Sequence, residues 1–141
     1  MGLFTPNVKK LARDKDIEGL MKCARHANAE VRMSAFIALK DLLTHKEVLE
    51  KLRFLERDTD PRIRSAAILE FAHIGDRKTF ENIRSIIISG SRNDKVDALR
   101  ILAGRDESEV EGVSSIVALA LHDKNLMVKT EAIKTMGAFH S

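Results

Sequence analysis

The stretch that decides the fold is Asp58-Thr59-Asp60-Pro61-Arg62-Ile63-Arg64-Ser65-Ala66-Ala67, which continues as Ile68-Leu69-Glu70-Phe71-Ala72-His73-Ile74-Gly75-Asp76. Asp60 is suited to cap a helix, because its carboxylate can accept hydrogen bonds from the free N–H groups of the first turn. Pro61 fits the first helical position, and Gly75 is a typical helix stop. Apolar residues between them recur at helical spacing. The stretch therefore predicts a polar turn followed by one Ala-rich, buried helix.

The same pattern occurs four times along the chain. Each copy contains a small residue among large apolar ones, and we take the small residue as its anchor. The anchors are Ala35, Ala67, Ala98 and Ala132, at spacings of 32, 31 and 34 residues. A polar residue suited to capping precedes each helix, and these caps are Asn28, Asp60, Ser91 and Asn125. In the third copy Val96 could serve as the anchor instead of Ala98, which would shift the register of this copy by two residues. Both registers stay open.

A second apolar stripe precedes each copy. In the first copy it consists of Ile17, Leu20, Met21 and Ala24, which follow the i, i+3, i+4, i+7 rule for one buried helix face. Each repeat is therefore predicted to be a helix pair, and because one pair cannot bury its own apolar face, neighbouring pairs must stack. We predict an all-α fold, an α-solenoid of four helix-pair repeats plus a short N-terminal capping helix. The single domain 1–141 divides into a cap at 1–13 and repeats at 14–44, 45–75, 76–105 and 106–141.

The pattern D-x-[DN]-P-x-[VI]-R-x-x-A-A-x-x-[LF], complete from Asp58 to Phe71, resembles the HEAT repeat. It is similar to the short prokaryotic form that also occurs in phycobilisome lyases. The resemblance covers residues 14–141, and it implies an armadillo-type superhelix whose concave face binds other proteins. Tetratricopeptide repeats fit poorly, because the chain has no Trp and no Tyr.

Composition excludes several classes of protein. The chain has 24 Lys and Arg against 21 Asp and Glu, and a net charge of +3 is no signature of nucleic-acid binding. The single cysteine, Cys23, excludes an internal disulfide and fits a reducing compartment. No apolar run reaches the roughly 18 residues that a membrane helix needs. We expect a cytoplasmic protein that does not bind membranes.

The sequence contains no recognisable catalytic or metal-binding motif. None of the five histidines forms a His-x-x-x-His pair, and none is followed by Glu. The second absence is informative, because deoxyhypusine hydroxylase builds its iron site on HEAT repeats with His-Glu pairs. Cys23 and His26, at i and i+3, are half a metal site at most. There is no glycine-rich phosphate loop and no recognisable Ser-His-Asp arrangement. We expect no metal, no cofactor and no catalysis by this chain.

A column of basic residues precedes the anchors by three positions: Arg32, Arg64, Lys95 and Lys129. One interpretation is a positive ladder for phosphates. The other, implied by the resemblance, pairs these cations with acids of neighbouring turns, such as Asp58, Asp60 and Asp123. We favour the second interpretation, in which the pairs fix the register between repeats.

Residues two positions before and after the anchors are expected on the inner, concave row of helices, facing away from the stack. Ile37 and Leu69 are apolar at a position where the family usually carries charge. Two interpretations stay open: these residues fill the core of a tightly curved stack, or they form a landing site for a partner. The second predicts a protein-binding groove with a basic end, formed by Met33, Ile37, Leu69, Val96, Arg100 and Lys134.

The leading functional hypothesis is a non-catalytic protein-binding scaffold or adaptor. Its partner would be another protein, with an amphipathic helix of acidic terminus as the matching element. One alternative is an accessory subunit of a bilin-lyase-like or other cofactor-handling enzyme, and another is a nucleic-acid-binding HEAT protein. The last helix carries the apolar residues Ile133, Met136 and Phe139 with no repeat after them, which predicts self-association through the C-terminal end.

Overall fold

The computed structural model describes residues 5–104 and 112–140, and within these ranges it contains nine α-helices and no strand. The α-helices are α1 Val8–Arg13, α2 Ile17–Cys23, α3 Ala29–Leu42, α4 His45–Leu52, α5 Pro61–Ile74, α6 Phe80–Ser89, α7 Arg92–Ala103, α8 Val113–Ala120 and α9 Leu126–His140. A short 3-10 helix at Arg53–Arg57 follows α4, and another at Arg77–Thr79 precedes α6. The helices after α1 form four successive pairs, each within one predicted repeat, which confirms the all-α solenoid architecture. No helix in the described ranges has both the length and the apolar character needed to cross a membrane.

Parts of three predicted boundary segments lie outside the described residues. These parts are residues 1–4 at the start of the cap, residues 105–111 at the junction between the third and fourth repeats, and Ser141. The chain divides into two compact units, Met1–Ala67 and Ile68–Ser141, with the border inside α5. Each unit is described by itself below.

The four anchors are fully buried, as the repeat pattern predicts: Ala35, Ala67, Ala98 and Ala132. A residue of this size allows two helices to approach closely, because its side chain adds only one methyl group to the contact. In the first unit, α3 packs against α2 and α4, and α1 packs against both α2 and α3. The capping role predicted for the N-terminal helix is thus confirmed for the described part of the cap.

The second unit is built around one continuous hydrophobic cluster that draws residues from α6, α7, α8 and α9. Helix α9 packs along α7, and α8 packs against both α6 and α9. Ala98 and Leu99 of α7 share this cluster with Val128 and Ala132 of α9. Thr135 of α9 also donates a hydrogen bond from its hydroxyl to the carbonyl of Leu99, over 3.3 Å. The two anchored helices of this unit therefore lie side by side.

All four predicted helix caps form. Asn28 Oδ1 accepts hydrogen bonds from the N–H groups of Glu30 and Val31, and Asn125 Oδ1 accepts from two N–H groups in the same way. Asp60 Oδ1 accepts from Arg62 N at 2.8 Å, and Ser91 Oγ accepts from Asp94 N at 3.1 Å. These bonds satisfy backbone donors that have no partner inside the helix.

The predicted stop at Gly75 is also confirmed. Gly75 has a φ of 101°, in the region that residues with a side chain rarely adopt. Its N–H donates to the carbonyls of Phe71 and Ala72, and the next N–H, of Asp76, donates to Phe71. This closure satisfies the last carbonyls of α5 and turns the chain towards α6.

Candidate functional site

The candidate site is an open groove of about 710 Å³ in the first unit, between α1 and α3. Its lining is mostly apolar, with Lys9 and Glu30 contributing charge. The lining residues are Thr5, Pro6, Asn7, Val8, Lys9, Ala12, Glu30, Val31, Ser34, Ile37 and Ala38. A cavity of this size falls in the range that ligand and side-chain pockets occupy, about 300–1,000 Å³.

One wall of the groove is α1, whose position depends on a close contact with α2. Asn7 caps α1 by accepting a hydrogen bond from Lys10 N at 3.1 Å. Leu11 of α1 lies against Gly19 of α2, where a Cβ would stand 2.9 Å from Leu11 Cδ2. Because Gly19 has no side chain, α1 can approach α2 closely.

The other wall is one face of α3. Val31, Ser34, Ile37 and Ala38 follow one another at i, i+3, i+6 and i+7, so they lie on the same side of the helix. Ser34 and Ala38 are small, and their short side chains leave the space that the groove occupies. Ile37 is 49% exposed at this wall. The prediction that Ile37 is at least partly exposed is therefore confirmed.

The six residues of the predicted groove are divided between the two units. Met33 and Ile37 belong to the first unit, where Met33 is half-buried. In the second unit, Leu69 is partly buried against the hydrophobic cluster. Arg100 and Lys134 are exposed, and Arg100 Nε lies 3.5 Å from Glu131 Oε1. Their assembly into one binding groove stays a prediction.

The expected exposure of Val96 is wrong. Val96 is only 6% exposed and belongs to the hydrophobic cluster of the second unit. It precedes Leu99 by three residues, so both face the side of α7 against which α9 packs. Val96 therefore contributes to packing rather than to an accessible surface. Ala98 of the same helix is fully buried, and because both residues are buried, the choice between the two registers of the third copy stays open.

Two residues of the basic column, Arg32 and Lys95, pair with acids of later turns, as we favoured. Arg32 Nε and Nη2 bind both carboxylate oxygens of Asp58, at 2.9 and 2.8 Å. Lys95 Nζ lies 2.6 Å from Asp123 Oδ2. Arg64 instead donates to the carbonyls of Asp58 and Thr59 in the turn before its own helix. Arg32 and Lys95 therefore hold turns together and are not arranged for phosphates.

These contacts shift the acidity of the two aspartates. Burial alone would raise the pKa of Asp58, but hydrogen bonds from Arg32 and from Asp60 N outweigh it and lower that pKa below its ordinary value. The pKa of Asp123 is lowered as well, first by the hydrogen bond from Lys95 and then by that from Asn125 N. Both carboxylates are thus stabilised in the charged form.

The groups weighed for chemistry are engaged in local structure. Cys23 is buried, and its pKa is raised, first by burial and then by the charge of Asp16. A raised pKa disfavours the reactive thiolate. His26 Nδ1 accepts a hydrogen bond from Asn28 N at 2.9 Å. Within the described ranges, no group of three or more His, Cys, Asp or Glu side chains is placed to hold a metal ion.

Comparison with known families agrees with this geometry. A family model for HEAT repeats matches residues 17–93, more than half of the chain. The chain belongs to the HEAT-repeat family. No curated protein and no solved structure shows significant similarity to it. The HEAT match begins at α2 and ends in α7, so it includes the α3 wall of the groove but not the α1 wall. The finer resemblance to the phycobilisome-lyase form is not confirmed.

The sequence-based prediction missed the groove between α1 and α3. It placed the partner surface along several HEAT repeats and treated α1 only as a cover for the first of them. The available signal was the pair Val8 and Ala12, spaced i, i+4 on α1, together with the small Ser34 and Ala38 on α3. Their meaning depends on the angle between the two helices, which no local pattern encodes.

Proposed function

We propose that this HEAT-repeat protein is a non-catalytic protein-interaction module, and that the groove between α1 and α3 receives apolar side chains of a partner helix. HEAT repeats commonly mediate protein interactions, and the match to that family supports the general class. The observation that carries the specific proposal is the exposure of Ile37 inside a mostly apolar groove. A single exposed apolar side chain is ordinary, but one that shares a concave surface with other apolar residues indicates a binding site.

The shape of the groove limits what it can receive. A volume of about 710 Å³ accommodates a few large side chains but not a whole folded domain. An amphipathic helix presents such side chains at i, i+3 or i+4 and i+7 along one stripe. Lys9 and Glu30 contribute the charges of the lining, and Glu30 already binds Arg62 over 2.7 Å. An acidic residue beside the stripe of the partner would therefore meet Lys9.

The described contacts favour a protein partner over a nucleic acid. A phosphate backbone needs accessible cations at a regular spacing. Arg32 and Lys95 are bound by carboxylates, so these two residues of the basic column do not offer free cations to phosphates. We also propose a cytoplasmic location, which the single cysteine supports.

The proposal is tested with a displayed library of helical peptides selected on the wild-type protein. The expected binders carry an apolar stripe, and Ile37→Asp should weaken them at least about tenfold, because a charge would be buried without a partner. The matched control is Ile88→Asp on α6, where Ile88 is 62% exposed in the second unit. Methyl NMR should place the shifts of bound peptides on Val8, Val31 and Ile37.

Two results would contradict the proposal. One is peptide binding that Ile37→Asp leaves unchanged, and the other is an equal loss of binding in Ile88→Asp. Thermal melts must show that both variants fold. If Ile37→Asp is unfolded, Ser34→Glu provides a second test, because Ser34 is exposed and a larger side chain there would fill the groove.

A further inference from the structure

Helix α9 carries an exposed stripe without charge. The stripe consists of Leu126, Thr130, Ile133 and Gly137, which are spaced i, i+4, i+7 and i+11 and therefore share one face. All four are exposed, and Ile133 is exposed by 64%. A charge-free stripe with a large apolar residue at its centre is unusual for the solvent side of a helix.

The same repeat position is buried in the other three copies. Phe36, Ile68 and Leu99 stand one residue after their anchors, as Ile133 does, and all three are buried. Leu99 shows what covers this position within the second unit. Helix α9 lies alongside α7, and its Thr135 donates a hydrogen bond to the carbonyl of Leu99. The element that suits the stripe on α9 is therefore another helix lying alongside.

We infer that two copies of this chain associate through α9, with the two helices antiparallel and a two-fold axis at Ile133. Ile133 is the middle residue of the 15-residue helix Leu126–His140. A two-fold axis at this residue therefore overlaps the two helices along their whole length, about 22 Å. Ile133 of one copy contacts Ile133 of the other. Each residue that precedes Ile133 in one helix lies opposite the residue that follows Ile133 by the same number of positions in the other helix.

Two further features of α9 suit an antiparallel contact with its own copy. A Cβ on Gly137 would meet nothing within 4 Å, so the backbone of this turn is open to close approach by the other helix. Lys129, four residues before the axis, lies beside the last turn of the other α9. A cation is favourable there, because the carbonyls at the C-terminal end of a helix carry partial negative charge.

Head-to-tail association of copies is disfavoured at the other end of the chain. Helix α1 already covers α2 and α3. In the turns before α5 and α9, an aspartate binds the cation of an earlier helix: Asp58 binds Arg32, and Asp123 binds Lys95. The residue at the equivalent position before α3 is His26. His26 Nδ1 accepts from Asn28 N, and an imidazole in this role offers no carboxylate to Lys129. A two-fold contact uses α9 twice and closes the assembly at a dimer.

The dimer is expected to be weak, because one helix pair buries less than the area of a standard interface. Sedimentation velocity should show a concentration-dependent monomer–dimer equilibrium, with a dissociation constant on the order of 0.1 mM. Ile133→Asp should keep the protein monomeric at every concentration. Ile88→Asp, which changes an equally exposed isoleucine of α6, should dimerise as the wild type does. A wild type that stays monomeric at millimolar concentration would overturn the inference.

Cysteine cross-linking tests the register. Helix axes about 8–10 Å apart bring the two Cα atoms at a two-fold axis near the 4.4–6.8 Å that a disulfide spans. Ile133→Cys should therefore form a disulfide-linked dimer under mild oxidation. Leu126→Cys, also exposed on α9, should not, because its two copies would lie about 21 Å apart along the axis. The native Cys23 is buried and does not interfere. Equal cross-linking of the two variants would exclude the proposed register.

Discussion

Arg32 and Asp58 join two turns that are 26 residues apart in the sequence. The guanidinium binds both carboxylate oxygens, and its Nη1 also donates to the carbonyls of His26 and Ala27. One side chain thus connects the turn before α3 with the turn before α5. Asp58 completes the link by accepting a hydrogen bond from Asp60 N at 2.8 Å. A planar, two-point contact of this kind fixes both the distance and the orientation of the turns.

A double-mutant cycle should measure this link. We expect Arg32→Met and Asp58→Asn to show a coupling of about 1–2 kcal/mol in chemical denaturation, because both side chains are largely shielded from water. The control is the cycle of Arg62 and Glu30, which lie 2.7 Å apart but are 61% and 73% exposed. Solvent screens that pair, and its coupling should be too small to measure. Equal couplings in the two cycles would show that the Arg32 contact does not fix the turns.

The same contact should make stability depend on pH. Native Asp58 has a pKa below its ordinary value of 3.8, so the unfolded chain binds its proton at a higher pH than the folded protein does. Stability from this carboxylate is therefore complete above that ordinary value and is lost as the pH falls through the lowered native pKa. The difference in unfolding free energy between the wild type and Arg32→Met should stay constant near neutral pH and shrink below about pH 4. A difference that grows on acidification would contradict this assignment.

Two glycines should respond oppositely to the same substitution. Gly137→Ala on α9 should raise the free energy of unfolding by about 0.5–1 kcal/mol, because alanine is the better helix former and its Cβ would meet nothing within 4 Å. Gly19→Ala should instead lower it, since the new Cβ would stand 2.8 Å from Asp16 Oδ2 and 2.9 Å from Leu11 Cδ2. Denaturation at low micromolar concentration, well below the dissociation constant expected for the proposed dimer, compares the two. A gain in both variants would mean that α1 does not need its close contact with α2.

The cap of α3 should contribute to stability. Asn28→Ala removes the acceptor of two N–H groups, at 2.8 and 3.3 Å, and should cost about 1 kcal/mol. Asn93→Ala is the matched control, because Asn93 is an exposed residue inside α7 rather than a cap. Thermal denaturation of both variants checks the difference, and a loss in Asn93→Ala as large as that in Asn28→Ala would argue against the capping role.

Sequence reasoning succeeded where a residue acts on its immediate neighbours in the chain. Asn28, Asp60 and Gly75 bind backbone groups within a few residues of themselves, so their roles follow from local chemistry. The anchors were found in the same way, because a repeated pattern reports the same packing environment four times. Val96 shows where this approach ends. Its position relative to the anchor predicted exposure, but α9 covers that side of α7.

The sequence by itself determined the all-α repeat architecture, the caps and the buried anchors. These properties are periodic or local, so residue type and spacing specify them. The tertiary structure alone decided that α1 and α3 enclose a groove beside Ile37 and that Val96 is buried. Each of these depends on which helix lies beside which, and at what distance. That arrangement results from packing between segments far apart in the chain, which no short stretch of sequence specifies.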